Sequence, residues 1–393
     1  MRNSKKWLAL IIASAMAVGT AGCAGKAKET EAVTNSAETT ASEATVASEA
    51  SKKVATEEDG QKAGESAEAQ SGMRTITDSA GREIQIPVEI NKVAPSGPLA
   101  QIVLYTISPD KLGGLASDFS EEAKQYIDEK YWGLPKFGQF YGKNANLNME
   151  ALIAEAPDVI IDIGEAKKSV KEDMDALQEQ LNIPVIFVEA TLPTMAEAYE
   201  LLGEITGETE QAAKLAEYCT TELTKAEEIK NSLTDDQKKS VYFGVGNNGL
   251  HTNARGSIHA DVIEWIGAIN AADVEAVSKG TGSEVSFEQV LLWDPDFIIL
   301  DSQELYDQVT ADAMWKELTA VSEGRVYKIP TAPYNFMANP PSVNRLIGIQ
   351  WLGQLVYPEQ YTEDIKEKAK EFFELFYHID VTEEQLEEIL KNS

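Results

Sequence analysis

Two carboxylates occupy matched settings far apart in the chain. Glu150 belongs to NMEALIAEAPDVIIDIG, residues 148–164, and Glu288 to SFEQVLLWDPDFIILDS, residues 286–302. In each stretch a good helix cap, Asn148 or Ser286, opens an apolar-periodic run. The run stops at Pro157 or Pro295, because the residue before a proline disfavours helical backbone, and an apolar strand pattern follows. A carboxylate in a first helical turn is favoured by the helix dipole and left pointing outward. An arginine fork can grip such a group with two parallel hydrogen bonds. One unit of this kind is an ordinary dipole-complementing surface charge. Two with the same offset from cap to proline indicate a duplicated architecture.

Groups suited to holding a ligand gather in four further places. Ser96 precedes a Gly-Pro turn, and FGQFYG, residues 137–142, offers Phe140 and Tyr141 as faces for a flat or apolar molecule, with packing beneath a loop as the ordinary alternative. VGNNGLHTNARGSIHA, residues 245–260, follows a strand pattern and supplies Asn247, Asn248 and His251 for hydrogen bonding and Arg255 for an anion. PYNFMANPPSVNRL, residues 333–346, adds Tyr334, Asn335, Phe336 and Arg345. Its prolines are expected to open the helix that carries Arg345, because proline suits a first helical turn; a surface salt bridge is the ordinary role for that arginine.

Several chemistries find no support. GVGNNG, residues 244–249, matches GxGxxG after a strand, but its third glycine opens no helix and the next helical pattern starts near Ser257, so it reads as a flexible loop. The histidines are His251, His259 and His378, and the last is too distant for a three-histidine metal site. A single axial ligand to heme iron from His251 or Tyr141 stays open. No HExxH, GxSxG or P-loop is present, and no nucleophile has a base beside it, so a binding protein without cofactor or protein-held metal is expected.

The elements that position these groups are legible in outline. The chain has 393 residues, with 34 basic against 65 acidic groups and a net charge of −31. That length points to two globular units, and the acidity argues against a nucleic-acid partner. Of two cysteines, Cys219 lies in a helical pattern and reads as a small buried apolar residue. Residues 1–22 have the basic start, short apolar stretch and small residues of a secretory signal, too short for a spanning helix. Residues 23–72 lack any aromatic side chain and are expected to form a disordered tether with a typical span of roughly 40 Å. TITDSAGREIQIP, residues 75–87, then signals a hairpin turning at Asp78–Gly81. Strand patterns alternating with helical ones imply βαβ units and a mostly parallel sheet. The expected plan is an α/β lobe over residues 73–207, a connecting helix over 208–235 and a second α/β lobe over 236–393.

With these pieces in place the chain resembles the substrate-binding lipoproteins of bacterial ABC importers for iron–siderophore, heme and cobalamin. The likeness covers essentially everything after residue 72. It rests on the hairpin, both Glu…Pro-Asp units, the long helix and PYNFMANPPSVNRLIGIQWLGQLVYPE. It implies the class III periplasmic-binding-protein fold, in which two Rossmann-like α/β lobes joined by one rigid helix close only slightly on a ligand. It implies that Glu150 and Glu288 dock on arginines of a membrane permease working with an ATPase. Ala21-Gly22-Cys23 is similar to a lipobox, with Thr20 where an aliphatic residue is usual. Cys23 would then carry the lipid that holds a monomer at the extracytoplasmic face of the cell membrane. Strand-end loops would face the cleft, placing the residues named above around the ligand, and Arg345 matches by position an arginine near the ligand in cobalamin-binding relatives. A metal chelate is the first expectation, as iron–siderophore or heme. Corrinoid comes next, and a molybdate or tungstate oxyanion third. A surface sensor or adhesin without transport is the alternative class.

Overall fold

A computed structural model of the chain describes residues 72–142, 144–277 and 282–393. The expected secretory signal, Cys23 and the tether before residue 72 lie outside the described residues. Strands β1 (Met73–Thr77) and β2 (Glu83–Pro87) pair antiparallel with Ile76 opposite Ile84. Ile76, Ile84 and Ile86 are buried, the inward set that period-two alternation selects. Asp78 builds the turn. Its Oδ1 accepts from the backbone N–H groups of Ala80 and Arg82, while Gly81 takes a φ of +71°. Its Oδ2 accepts from the Arg82 guanidinium at 2.9 Å and from the Phe187 N–H at 3.2 Å, so one carboxylate pins the hairpin to the first sheet.

That sheet is parallel, with β3 (Val93–Pro95), β4 (Val159–Gly164) and β5 (Val185–Glu189) side by side in chain order. Helix α1 (Pro98–Ile107) follows β3, α2 (Met149–Glu155) precedes β4, and α3 (Val170–Leu181) crosses from β4 to β5. Only Met174 and Leu177 of α3 are buried, the narrow apolar stripe of a surface helix. Helix α4 (Met195–Thr206) leads into α5 (Thr209–Ser232), whose 24 residues span about 36 Å at 1.5 Å per residue. The second half carries β6 (Ser240–Val245), β7 (His251–Thr252), β8 (Ile269–Asn270), β9 (Ser283–Glu284), β10 (Phe297–Leu300) and β11 (Val326–Lys328). Their order is β11-β10-β6-β7-β9, with β8 also on β6. Strands β6, β10 and β11 run parallel, and β7 turns back antiparallel to β6. GVGNNG is therefore a strand–turn–strand loop with no helix behind it. Helix α6 (Asp261–Trp265) starts later than Ser257, and α7 (Phe287–Trp293), α8 (Gln303–Ala311) and α9 (Thr319–Ser322) complete this half.

The duplicated units α2–β4 and α7–β10 share a mechanism that explains Pro-Asp. Asn148 Oδ1 accepts from the Ala151 N–H at 3.1 Å, and Ser286 forms a capping box with Gln289. Both helices end on a left-handed residue that is not glycine, Ala156 at φ +44° and Asp294 at φ +35°, just before a proline that disfavours right-handed helical backbone in its predecessor. The aspartate after each proline then clamps the neighbouring parallel strand. Asp158 Oδ2 accepts from the N–H groups of Asn91 and Lys92 ahead of and leading into β3 (2.8 and 2.9 Å). Asp296 Oδ2 accepts from the N–H and hydroxyl of Ser240 at the start of β6 (2.8 and 2.9 Å). Proline ends the helix and aspartate sets the register of the strand pair.

The last elements are α10 (Arg345–Val356), α11 (Ile365–Phe372), a π-helical turn over Phe373–Tyr377 and α12 (Glu383–Ile389). Helix α10 begins at Arg345 and not at the prolines, because Ser342 to Asn344 form a turn in which the Ser342 hydroxyl accepts from the Asn344 N–H. A side chain at Gly348 would collide with the Phe336 carbonyl, which accounts for a glycine inside α10. The C-terminal segment also revises the expected lobe boundary. Phe373 meets Tyr126 at a ring separation of 5.6 Å, Phe376 meets Tyr199 at 6.1 Å and Tyr218 at 5.2 Å. Residues after α10 thus return to the first lobe and to α5. One hydrophobic cluster runs through both halves, and the described residues fall in a single compact unit.

Candidate functional site

A cleft of about 740 Å³ opens between the halves, at the C-terminal end of β4, within the usual range for small-molecule sites. Asp162, the one carboxylate of an otherwise apolar strand, forms part of its wall and is 2% exposed. The Tyr141 hydroxyl donates to both Asp162 oxygens at 2.7 and 2.8 Å, and the Ser96 hydroxyl donates to Oδ1. Burial raises the Asp162 carboxyl above its ordinary range, and the two hydroxyls pull it part of the way back. The Tyr141 phenol is raised by burial and by the adjacent carboxylate. Its ring stays 41% exposed, so the hydroxyl is tethered while the ring face is presented to the cleft.

The opposite wall comes from the segment Gly256–His259, from Ala276 and Val277, and from Pro341. His259 Nδ1 lies 3.0 Å from the Ala338 carbonyl oxygen. A carbonyl can only accept, so Nδ1 carries a proton in this contact. Among the described lining residues, Asp162, Glu165 and Asp173 are acidic and Lys167 is basic. No group of three or more histidine, cysteine, aspartate or glutamate side chains is arranged to hold a metal among the described residues.

Of the residues expected at the ligand, Tyr141 lines this cleft and Ser96 stands behind it on Asp162. The others lie elsewhere. Phe140 is 7% exposed and packs in the first-lobe core with Phe137, Leu152 and Met174. Asn247 and Asn248 are exposed on the β6–β7 loop, where Asn248 Oδ1 accepts from the Leu250 N–H. His251 belongs to β7 between β6 and β9. Arg255 turns to the Asn270 carbonyl at 3.1 Å and lies 3.6 Å from Asp273. Asn335 is spent on its own turn, accepting from the Met337 and Ala338 N–H groups, and Phe336 is wholly buried. Tyr334 packs 6.3 Å from Tyr377.

Arg345, expected at the ligand, is engaged inside the protein. It has no solvent exposure, and it donates to Asp261 Oδ2 at 2.5 Å and to the Ser342 carbonyl at 3.1 Å. Burial raises the Asp261 carboxyl against the pull of Arg345. The pair joins α6 to α10 inside the second lobe. A sequence does not reveal whether an arginine after a proline-rich turn points inward, because that depends on where its partner aspartate folds. Asp162 leaves a signal, a lone charge in VIIDIG, while His259 carries no local feature that sets it apart from His251 as a cleft residue.

Glu150 and Glu288 lie in the first turns of α2 and α7. Both are exposed, and neither forms an ion pair among the described residues.

The sequence profile of the periplasmic binding protein family matches residues 128–333, more than half of the chain. An uncharacterised ABC transporter substrate-binding lipoprotein of Bacillus subtilis (strain 168), YvrC, is 24% identical over 298 residues, covering 74% of this chain and 87% of the relative. The Fe(3+)-citrate-binding protein YfmC of the same strain is 24% identical over 250 residues, covering 61% of this chain and 76% of the relative. Among solved structures, an ABC transporter solute binding protein from Sulfurospirillum deleyianum DSM 6946 superposes with a TM-score of 0.75 at 28% identity, covering 81% of this chain and 99% of that one.

Proposed function

The chain belongs to the periplasmic binding protein family, with the class III fold, and from that premise we propose that it is the extracytoplasmic substrate-binding lipoprotein of an ABC importer for a metal chelate. The observation that carries this reading is the interlobe cleft of about 740 Å³, with the tethered Tyr141 ring on one wall and His259 on the other. An aromatic face gives a chelate a rigid apolar surface at low entropic cost, and the Fe(3+)-citrate-binding relative supports a chelated metal as the cargo. Anchoring through Cys23 would hold the protein beside its transporter. The loaded protein then docks through Glu150 and Glu288, one on each lobe, onto cationic side chains of the permease. Their exposure, with no ion pair among the described residues, is what that role requires.

The test has two arms. In the first, the protein is heated with heme, a ferric hydroxamate, cobalamin or molybdate. A chelate present at a hundred times its dissociation constant adds about 2.7 kcal/mol of stability and raises the melting temperature. In the second, Glu150→Arg combined with Glu288→Arg keeps that shift and abolishes cellular uptake of the same chelate. No shift with any chelate contradicts the cargo, and unchanged uptake by the double variant contradicts the docking role.

A further inference from the structure

The two docking glutamates share their helix faces with apolar side chains that no described residue covers. On α2, Ile153 follows Glu150 by three positions and is 66% exposed. On α7, Leu291 and Leu292 follow Glu288 by three and four positions and are 38% and 83% exposed. Residues three and four apart stand on one helix face, so each carboxylate has an apolar neighbour beside it. The inward positions are filled separately, by Leu152 in α2 and Val290 in α7, both wholly buried. The outward leucines and isoleucine are therefore not part of the core. An isolated exposed leucine carries little meaning. Here the pattern occurs at equivalent places in a duplicated unit, each time next to an acid that has no ion pair among the described residues.

From this we infer that each docking helix presents a composite contact, a carboxylate flanked by an apolar knob, to a partner whose arginine is set beside an apolar socket, and that α7 is the stronger anchor. The inference rests on the docking role proposed above and adds to it. An exposed ion pair between solvated side chains contributes little. Apolar groups that exclude water around such a pair strengthen it, which is how interface hot spots are built. The repeat of the motif on two lobes fits a partner that offers the same surface twice, as a two-fold permease dimer does. The asymmetry follows from composition, because α7 offers two leucines where α2 offers Ile153 followed by Ala154.

Leu292→Gln and Ile153→Gln remove the apolar surface without lowering helix propensity. In cells producing the full-length lipoprotein, initial uptake would be measured with the radiolabelled chelate that gives the largest thermal shift. Leu292→Gln is expected to lower it about tenfold and Ile153→Gln by less, with the melting temperature and its ligand-induced shift unchanged in the purified proteins. Loss in both variants should grow with ionic strength more steeply than in wild type, because the remaining ion pair is left in water. Wild-type uptake by both variants, or a greater loss in Ile153→Gln, overturns the inference. If the double glutamate-to-arginine variant loses uptake while the glutamine variants do not, docking stands and only the apolar contribution falls. If that variant transports normally, the docking role itself fails and this inference goes with it.

Discussion

Single residues decide which parts of the cleft are available to a ligand. Asp162, Ser96 and Tyr141 form a closed set in which two neutral hydroxyls satisfy a buried carboxylate. Tyr141 was visible in the sequence as one of two adjacent aromatics. Which of the pair faced out was not, since Phe140 and Tyr141 differ only by the hydroxyl that finds Asp162. Arg345, expected beside the ligand, is instead held by Asp261 inside the protein. Removing one member of a buried pair leaves an uncompensated charge. Arg345→Ala should therefore lower unfolding free energy in urea by about 3–5 kcal/mol, and the folded fraction should bind its chelate with wild-type affinity. Lost affinity with unchanged stability would return Arg345 to the ligand.

At the scale of elements, the helix–proline–strand units were readable because caps, periodicity and proline all act locally. The job of the aspartate after each proline was not, because its partners lie in a strand remote in sequence. The equivalence of the two clamps makes a paired prediction. Asp158→Ala and Asp296→Ala should each cost about 1.5–3 kcal/mol, the range for hydrogen bonds to a charged acceptor, as measured by chemical denaturation. A loss confined to one lobe would break the equivalence. The two-residue strands β7, β8 and β9 gave no usable pattern, because so short a run has no period to detect.

For the whole molecule, α/β alternation and the long helix carry the architecture, while the path of the C-terminus has no local signature. A helical stripe such as that of α11 states that it must be buried but not against which lobe. Phe373, Phe376 and Tyr377 close on first-lobe and spine aromatics, so the halves share a core as well as the connecting helix α5. This leaves the cleft as the open space between two walls fixed to one body. Gly164 lies at the end of β4 on that cleft, and a Cβ built there meets nothing within 4 Å. Gly164→Trp would fill the space without disturbing the core. The decisive measurement is the binding titration of this variant with the chelate that saturates the wild-type protein. Binding is expected to be abolished while the melting temperature without ligand stays that of the wild type. Wild-type affinity in a folded Gly164→Trp protein would contradict that expectation, because the ligand would then have to sit elsewhere.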